Sequence, residues 1–208
     1  RPSPQSSDFT TERVLGGLCF LCSNKTGPGH IRHLDYGFVT LGQHASDGAP
    51  ARVTERMKAV GEDLEAAGIE VSYAEDLLLA RWRKLVWNIP FNGLSVVLDA
   101  RIDEILACPE TRLLSVALMR EVARGAASIG RTIDDAFIQH MMDLTDRMTP
   151  YRTSMKIDHE LARPMEVEAI FGHPLRIARA AGAELPQIEM LYRLLAYIDA
   201  RAAAAREA

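Results

Sequence analysis

The sequence predicts a mostly α chain in two parts: an α/β piece over the first third, then an all-α region. Three observations carry this reading. Apolar runs in the first third are short, and either continuous or alternating, as in strands. After Ser72 the apolar residues recur at three- and four-residue spacing, as on helix faces. Gly and Pro then punctuate those helical segments at their ends.

Taken in order, residues 1–12 are polar and expected to be loose. Val14–Cys22 (VLGGLCFLC) reads as a buried strand, Ser23–Gly29 as a turn, and His30–Gly42 as one or two further strands. Gln43–Pro50 is a loop. Ala51–Ala67 sets Val53, Met57, Val60 and Leu64 at helical spacing, with Gly68 as its stop. Ile69–Tyr73 alternates like a strand. Ser72 and Glu75 have capping-box spacing and should open a long helix. Pro90 inside that helix lacks an N–H and should kink or break it. Pro109 begins a helix running to Ile129, stopped by Gly130, and Thr132 and Asp135 repeat the capping spacing before a helix to about Met148. Val167–Ala181 forms another, ending at Gly182. Pro186 opens the last, with Leu191, Leu194, Leu195 and Ile198 on its apolar face.

Composition bounds the function. The 208 residues are 48% hydrophobic and 25% charged, enough for one large or two small globular domains. A formal charge of −4, with no basic run longer than Arg81-Trp82-Arg83-Lys84, argues against a nucleic-acid partner. No apolar stretch reaches the roughly 18 residues of a membrane span, and RPSPQSSDFTTER lacks the apolar core of a signal peptide. Three cysteines cannot all pair with one another, which favours a reduced, cytoplasmic chain. The first residue is Arg1 rather than Met, which is the expectation for a fragment.

The most informative segment is Leu85–Leu98, LVWNIPFNGLSVVL, in which Asn88, Asn92 and Ser95 are the polar side chains. With Lys84 they project within an arc of roughly 80° on a helix. Burying amides and an ammonium among Leu, Val, Trp and Phe is costly unless each finds a partner, and an oxygen-rich ligand would supply several. The alternative is a polar seam satisfied by neighbouring backbone. A second segment, Pro150–Gly172, sets Arg152, Thr153 and Ser154 ahead of Glu166 and Glu168. Arg152, Thr153 and Ser154 suit anion recognition. By itself the segment suits somewhat better a solvated loop leading into a helix with acids in its first turn.

Other motifs are weaker. Cys19 and Cys22 form a CxxC, but in an apolar strand rather than at a helix start, so a redox role is not expected. His30 and His33 have no metal-ligand spacing and no metal site is expected. The GxGxxG phosphate loop is absent.

WRKLVWNIPFNGLSVV at 82–97, SM at 154–155, RPMEVEAIFG at 163–172 and AAGAELPQIEMLYRLL at 180–195 together resemble the C-terminal helical domain of the ketopantoate reductase (2-dehydropantoate 2-reductase) family. VLGGLCFLCSNKTGPGHIRHLDYGFVTLG resembles the end of that family's Rossmann-like dinucleotide-binding domain. The resemblance implies residues 1–74 as the end of that domain and 75–208 as a helical substrate and catalytic domain. It implies NADPH-dependent reduction of ketopantoate or a related 2-oxo acid, within pantothenate biosynthesis. Lys84 matches the family's proton donor, Asn88, Asn92 and Ser154 its substrate-binding residues, and Glu166 a glutamate near cofactor and substrate hydroxyl. Asn24 matches a cofactor-contact position in a strand-end loop. A homodimer through the helical domain is a further expectation.

Several positions depart from the pattern. Gly93 stands where many relatives have proline, Met165 for a common threonine, Glu168 for a common aspartate and Phe171 for a common asparagine. Roughly a hundred residues carrying the phosphate-binding loop are absent, so the chain alone is expected to be inactive. The competing reading is a non-catalytic helical module that binds a partner or dimerises.

Overall fold

The computed structural model describes residues 14–150 and 152–207. The loose segment expected over residues 1–12 lies outside the described residues, as does Tyr151 of the Pro150–Gly172 segment. The observed fold class is the predicted one: a small sheet with one helix, followed by helices.

Strand β1 (Leu15–Gly27) and strand β2 (His30–Gln43) form an antiparallel hairpin. Its turn is only Pro28-Gly29, where Gly29 takes φ +73, a conformation that costs glycine little. The expected turn from Ser23 is therefore strand, and register shifts after Phe20, Cys22 and Lys25 absorb its irregular residues. Helix α1 (Glu55–Ala66) crosses over to strand β3 (Glu70–Ala74), which pairs with β2 in parallel from Phe38 to Gly42. Thr54 caps α1 by accepting from the Met57 N–H at 3.2 Å, and Gly68 takes φ +82 just past its end.

β1, expected as a buried strand, is mostly uncovered within this chain. Cys22 is its buried residue, while Leu21 is 55% exposed. β3 pairs with β2 over five residues, so within this chain the hairpin beyond Phe38 is a two-stranded ribbon. The paired end is better covered. Leu77 is 5% exposed and lies over Gly16 and Gly42, where an added Cβ would fall 2.5 and 2.9 Å from its side chain.

Helix α2 (Leu77–Val97) runs unbroken through the buried Pro90. The proline leaves the Val86 carbonyl without its helical donor but does not end the helix, because surrounding apolar burial outweighs one lost bond. Its cap is Asp76, which accepts from the Leu79 N–H at 2.8 Å; Ser72 lies in β3 with its hydroxyl 2.7 Å from that of Thr40. The chain divides into two compact units between Arg81 and Trp82.

The second unit holds helices α3 (Ile102–Ala107), α4 (Pro109–Ser128), α5 (Asp135–Asp146), α6 (Ser154–Glu160), α7 (His173–Ala180) and α8 (Pro186–Glu207). The helix expected over 167–181 begins with a π-helical turn, Glu168–Gly172. α3 and α6 were not visible as periodic patterns, being too short to show one. Asp134 rather than Thr132 caps α5, accepting from the Phe137 N–H at 2.8 Å. The core contains Trp82, Val86, Ile89, Phe91, Met119, Phe171 and Leu195, each 2% exposed or less. Glu121, 1% exposed, accepts from the backbone N–H groups of Gln187 (3.0 Å) and Ile188 (2.9 Å) and so caps α8 from across the unit. No helix among the described residues is long and apolar enough to cross a membrane.

Candidate active site

The polar stripe is a gradient of burial along α2. Lys84 and Asn88 are half-buried, Asn92 is 3% exposed and Ser95 is fully buried. The two deep residues differ in how they are satisfied. Ser95 Oγ donates to the Asn92 carbonyl at 3.2 Å and lies 2.9 Å from Thr153 Oγ1. For Ser95, then, the seam reading holds. Asn92 Oδ1 is buried and has no hydrogen-bond partner among the described residues, and an acceptor sealed without a donor is costly.

Two contacts bring the other expected segments to the same turn of α2. Thr153 caps α6 by accepting from the Lys156 N–H at 3.1 Å, so its hydroxyl links Ser95 to the helix whose first residue is Ser154. On the other side, a Cβ added to Gly93 would fall 2.5 Å from Leu191 Cδ2 and 3.2 Å from Phe171 Cε1. The bare backbone at Gly93 makes room first for Leu191 and then for the buried Phe171 ring. Asn92 is on the same turn of α2 as Gly93 and Ser95. Glu166 lies on the exposed stretch leading into the π-helical turn, next to Met165, whose N–H donates to Asp199 at 3.1 Å. π-Helical turns recur at functional sites.

Asn24 belongs to the other unit. It is half-buried within β1, opposite Arg32, and not in a strand-end loop, since β1 continues past it to Gly27.

Sequence reasoning missed several polar groups. Lys156 is buried, paired with Asp99 and 3.5 Å from Glu160; spaced four from Glu160 on a polar stretch, it reads as a surface pair. Tyr192 donates to the Glu168 carboxylate, which also accepts from Arg176 at 2.9 Å. These two donors, Tyr192 first, hold the Glu168 carboxyl below its ordinary range. Gly172 leaves room for that carboxylate, because a Cβ there would fall 2.5 Å from Glu168 Oε2. A cleft of about 240 Å³ between α3 and α5 contains no residue of the stripe. Its Asp103 and Asp146 are paired with Arg101 and Arg112. Among the described residues, no three His, Cys, Asp or Glu side chains are grouped to hold a metal.

Comparison with known proteins agrees with this layout. The family model "Ketopantoate reductase PanE/ApbA C terminal" matches residues 76–199, and "Ketopantoate reductase PanE/ApbA" matches residues 5–46. A 2-dehydropantoate 2-reductase from a Nostoc species is 56% identical over 188 residues, covering 90% of this chain and 59% of that protein. The crystal structure of 2-dehydropantoate 2-reductase from Geobacter metallireducens superposes with a TM-score of 0.86 at 40% identity, covering 92% of this chain and 63% of that one. The corresponding enzyme from Methylococcus capsulatus gives a TM-score of 0.80 at 35% identity, covering 91% and 59%. The chain thus spans about six-tenths of the length of these relatives. With residues 76–199 and 5–46 matched by these models and a relative 56% identical over 188 residues, the chain belongs to the ketopantoate reductase family.

Proposed function

We propose that this chain forms the substrate-binding and proton-donating part of an NADPH-dependent reductase acting on ketopantoate or a related 2-oxo acid in the cytoplasm. Residues 1–74 would be the end of the dinucleotide-binding domain and 75–208 the substrate domain. The observation that carries the reading is the buried Asn92 Oδ1, unpartnered among the described residues, on the helical turn that also carries Gly93 and Ser95. A carbonyl oxygen there suits a substrate hydroxyl, and the amide end of the same side chain suits a carboxylate.

Each remaining residue has a role in this reading. Asn88, one turn nearer the accessible end of the stripe, joins Asn92 in binding substrate, and the Ser154 hydroxyl donates to the substrate carboxylate. Lys84 gives a proton to the ketone oxygen as the alcohol forms. When bound, the reduced nicotinamide cofactor supplies the hydride. The groups this chain offers it fit in kind: Asn24 brings an amide and Glu166 an exposed carboxylate, complementary to a carboxamide and to hydroxyls. A homodimer through the helical domain is supported by Met190, Leu194 and Tyr197, which form an exposed apolar stripe on α8.

The test is NADPH oxidation by the complete natural protein with ketopantoate and other 2-oxo acids. The wild type should turn over at least one of them. Lys84→Ala should lower turnover by about a hundredfold, the usual range for a positioned acid, while the protein stays folded. Near-normal turnover in Lys84→Ala would remove the lysine from the chemistry.

A further inference from the structure

Lys156 is a buried charge that the proposed reaction leaves unused. Its side chain is 4% exposed, and its ammonium is paired with the Asp99 carboxylate and lies 3.5 Å from Glu160. Asp99 reaches it from just beyond the end of α2, with a carboxylate 88% exposed and a backbone φ of +53. That left-handed conformation is uncommon outside glycine, although aspartate tolerates it better than most residues. A lysine sealed in this way is a poor means of stabilising a core, because an apolar side chain of similar volume often does as well or better. What the pair adds is geometry.

The pair joins the two elements that carry the proposed substrate residues. Ser95 lies in the last turn of α2 and Asp99 four residues on, just past its end, while Thr153 caps α6 and Lys156 lies in its first turn. Ser95 meets Thr153 at 2.9 Å, and Asp99 meets Lys156 one turn further on. α6 is therefore fastened to α2 at two successive points. It has seven residues, too few to hold a helix by propensity alone.

We propose that the Lys156–Asp99 ion pair is a positioning device, fixing the register of α6 on α2 and so holding the Ser154 hydroxyl in place relative to Asn92 for capture of the 2-oxo acid. This rests on the reductase reading above. Neither Lys156 nor Asp99 touches substrate in it. Loss of the pair should therefore weaken capture of the 2-oxo acid while leaving the chemical step and cofactor binding largely intact.

The experiment measures kcat, KM for ketopantoate and KM for NADPH on the complete protein as wild type, K156M, D99N, K156R and the D99N/K156M double variant. K156M should raise KM for ketopantoate about tenfold, as expected when a bound group is misplaced by about an ångström or less. Both kcat and KM for NADPH should stay within about twofold, a margin small beside that tenfold rise. Its melting temperature should hold or rise, since a buried charge is replaced by an apolar chain. D99N should give the same rise in KM and decides the matter if K156M does not fold. The double variant should be no worse than K156M, because either change alone opens the same joint. K156R should recover most of the loss. An unchanged KM in K156M and D99N, with a lowered melting temperature, would make the pair purely structural and overturn the inference alone. A wild type inactive on every 2-oxo acid would instead overturn the reductase reading and the inference with it.

Discussion

In the β ribbon, Leu21, Ile31 and Leu34 are 55%, 75% and 43% exposed, whereas Ile89, Phe91, Met119 and Phe171 of the helical unit are fully buried. Both regions are rich in apolar residues, yet only one covers them. The helical unit surrounds α2 with α4, α8 and the π-helical turn, and its close contacts are cut to shape, as at Gly125 under Trp82. The ribbon has strand pairing on one edge and little packed on its faces beyond Phe38. Backbone pairing alone can hold strands in register, but most stability comes from apolar burial. Within these 208 residues the helical unit holds the buried apolar side chains, and its buried polar groups are the ones with consequences.

The largest expected effect is therefore at Trp82, which is 2% exposed with its ring against Gly125. Trp82→Ala should cost about 3–5 kcal/mol, whereas Ile31→Ser in the ribbon should change stability by no more than about 0.5 kcal/mol. Urea unfolding of the two variants checks this. Equal losses would erase the distinction between the regions.

Glu121→Ala should come next, at about 2–3 kcal/mol, because two charge-assisted bonds to the start of α8 are lost together. Hydrogen exchange should show protection falling first in the early turns of α8. Protection unchanged there would mean that packing alone seats the helix.

Acid should act more gently and on the same unit. Asp146 beside Arg112, Glu168 beside Tyr192 and Arg176, and Glu189 beside Arg193 and Arg179 all have carboxyls held below their ordinary range. A carboxyl lowered in the folded state stabilises above its unfolded pKa, near 4, and loses that contribution as pH falls through the folded value. Segment-resolved exchange between pH 7 and pH 3 should show α4–α8 loosening below about pH 4, with the hairpin little affected by these pairs. Loosening led by the hairpin would contradict it.

Much of this was legible in the sequence, for identifiable reasons. α2, α4 and α8 are long enough for their apolar spacing to stand out, and Gly68, Gly130 and Gly182 mark stops where φ is positive. The stripe was visible because four polar residues interrupt an apolar helix in phase. What was hidden depends on neighbours distant in sequence. Ser95 is satisfied by Thr153, fifty-eight residues away, so its polarity alone could not separate seam from site. Lys156 looks like a surface lysine, although the fold buries it and pairs it with Asp99, fifty-seven residues away. The caps at Asp76 and Asp134 were displaced because several nearby side chains could serve, and the backbone turn decides which one does. Glu121 did leave a signal, an acid sharing a helix face with Leu118 and Val122, and so with the core. The exposure of β1 could not be read at all, since an apolar strand implies a cover without showing one.

The central claim is that Asn92 is kept polar for a ligand, and Asn92→Leu in the complete protein tests it most directly. With Oδ1 unpartnered among the described residues, replacing the amide by an apolar chain of similar size should leave the melting temperature unchanged or raise it. The same change should lower kcat/KM for the 2-oxo acid by about 5- to 150-fold, the equivalent of one or two lost hydrogen bonds at about 1–3 kcal/mol. A lowered melting temperature with kcat/KM intact would contradict the account, making Asn92 a packing residue.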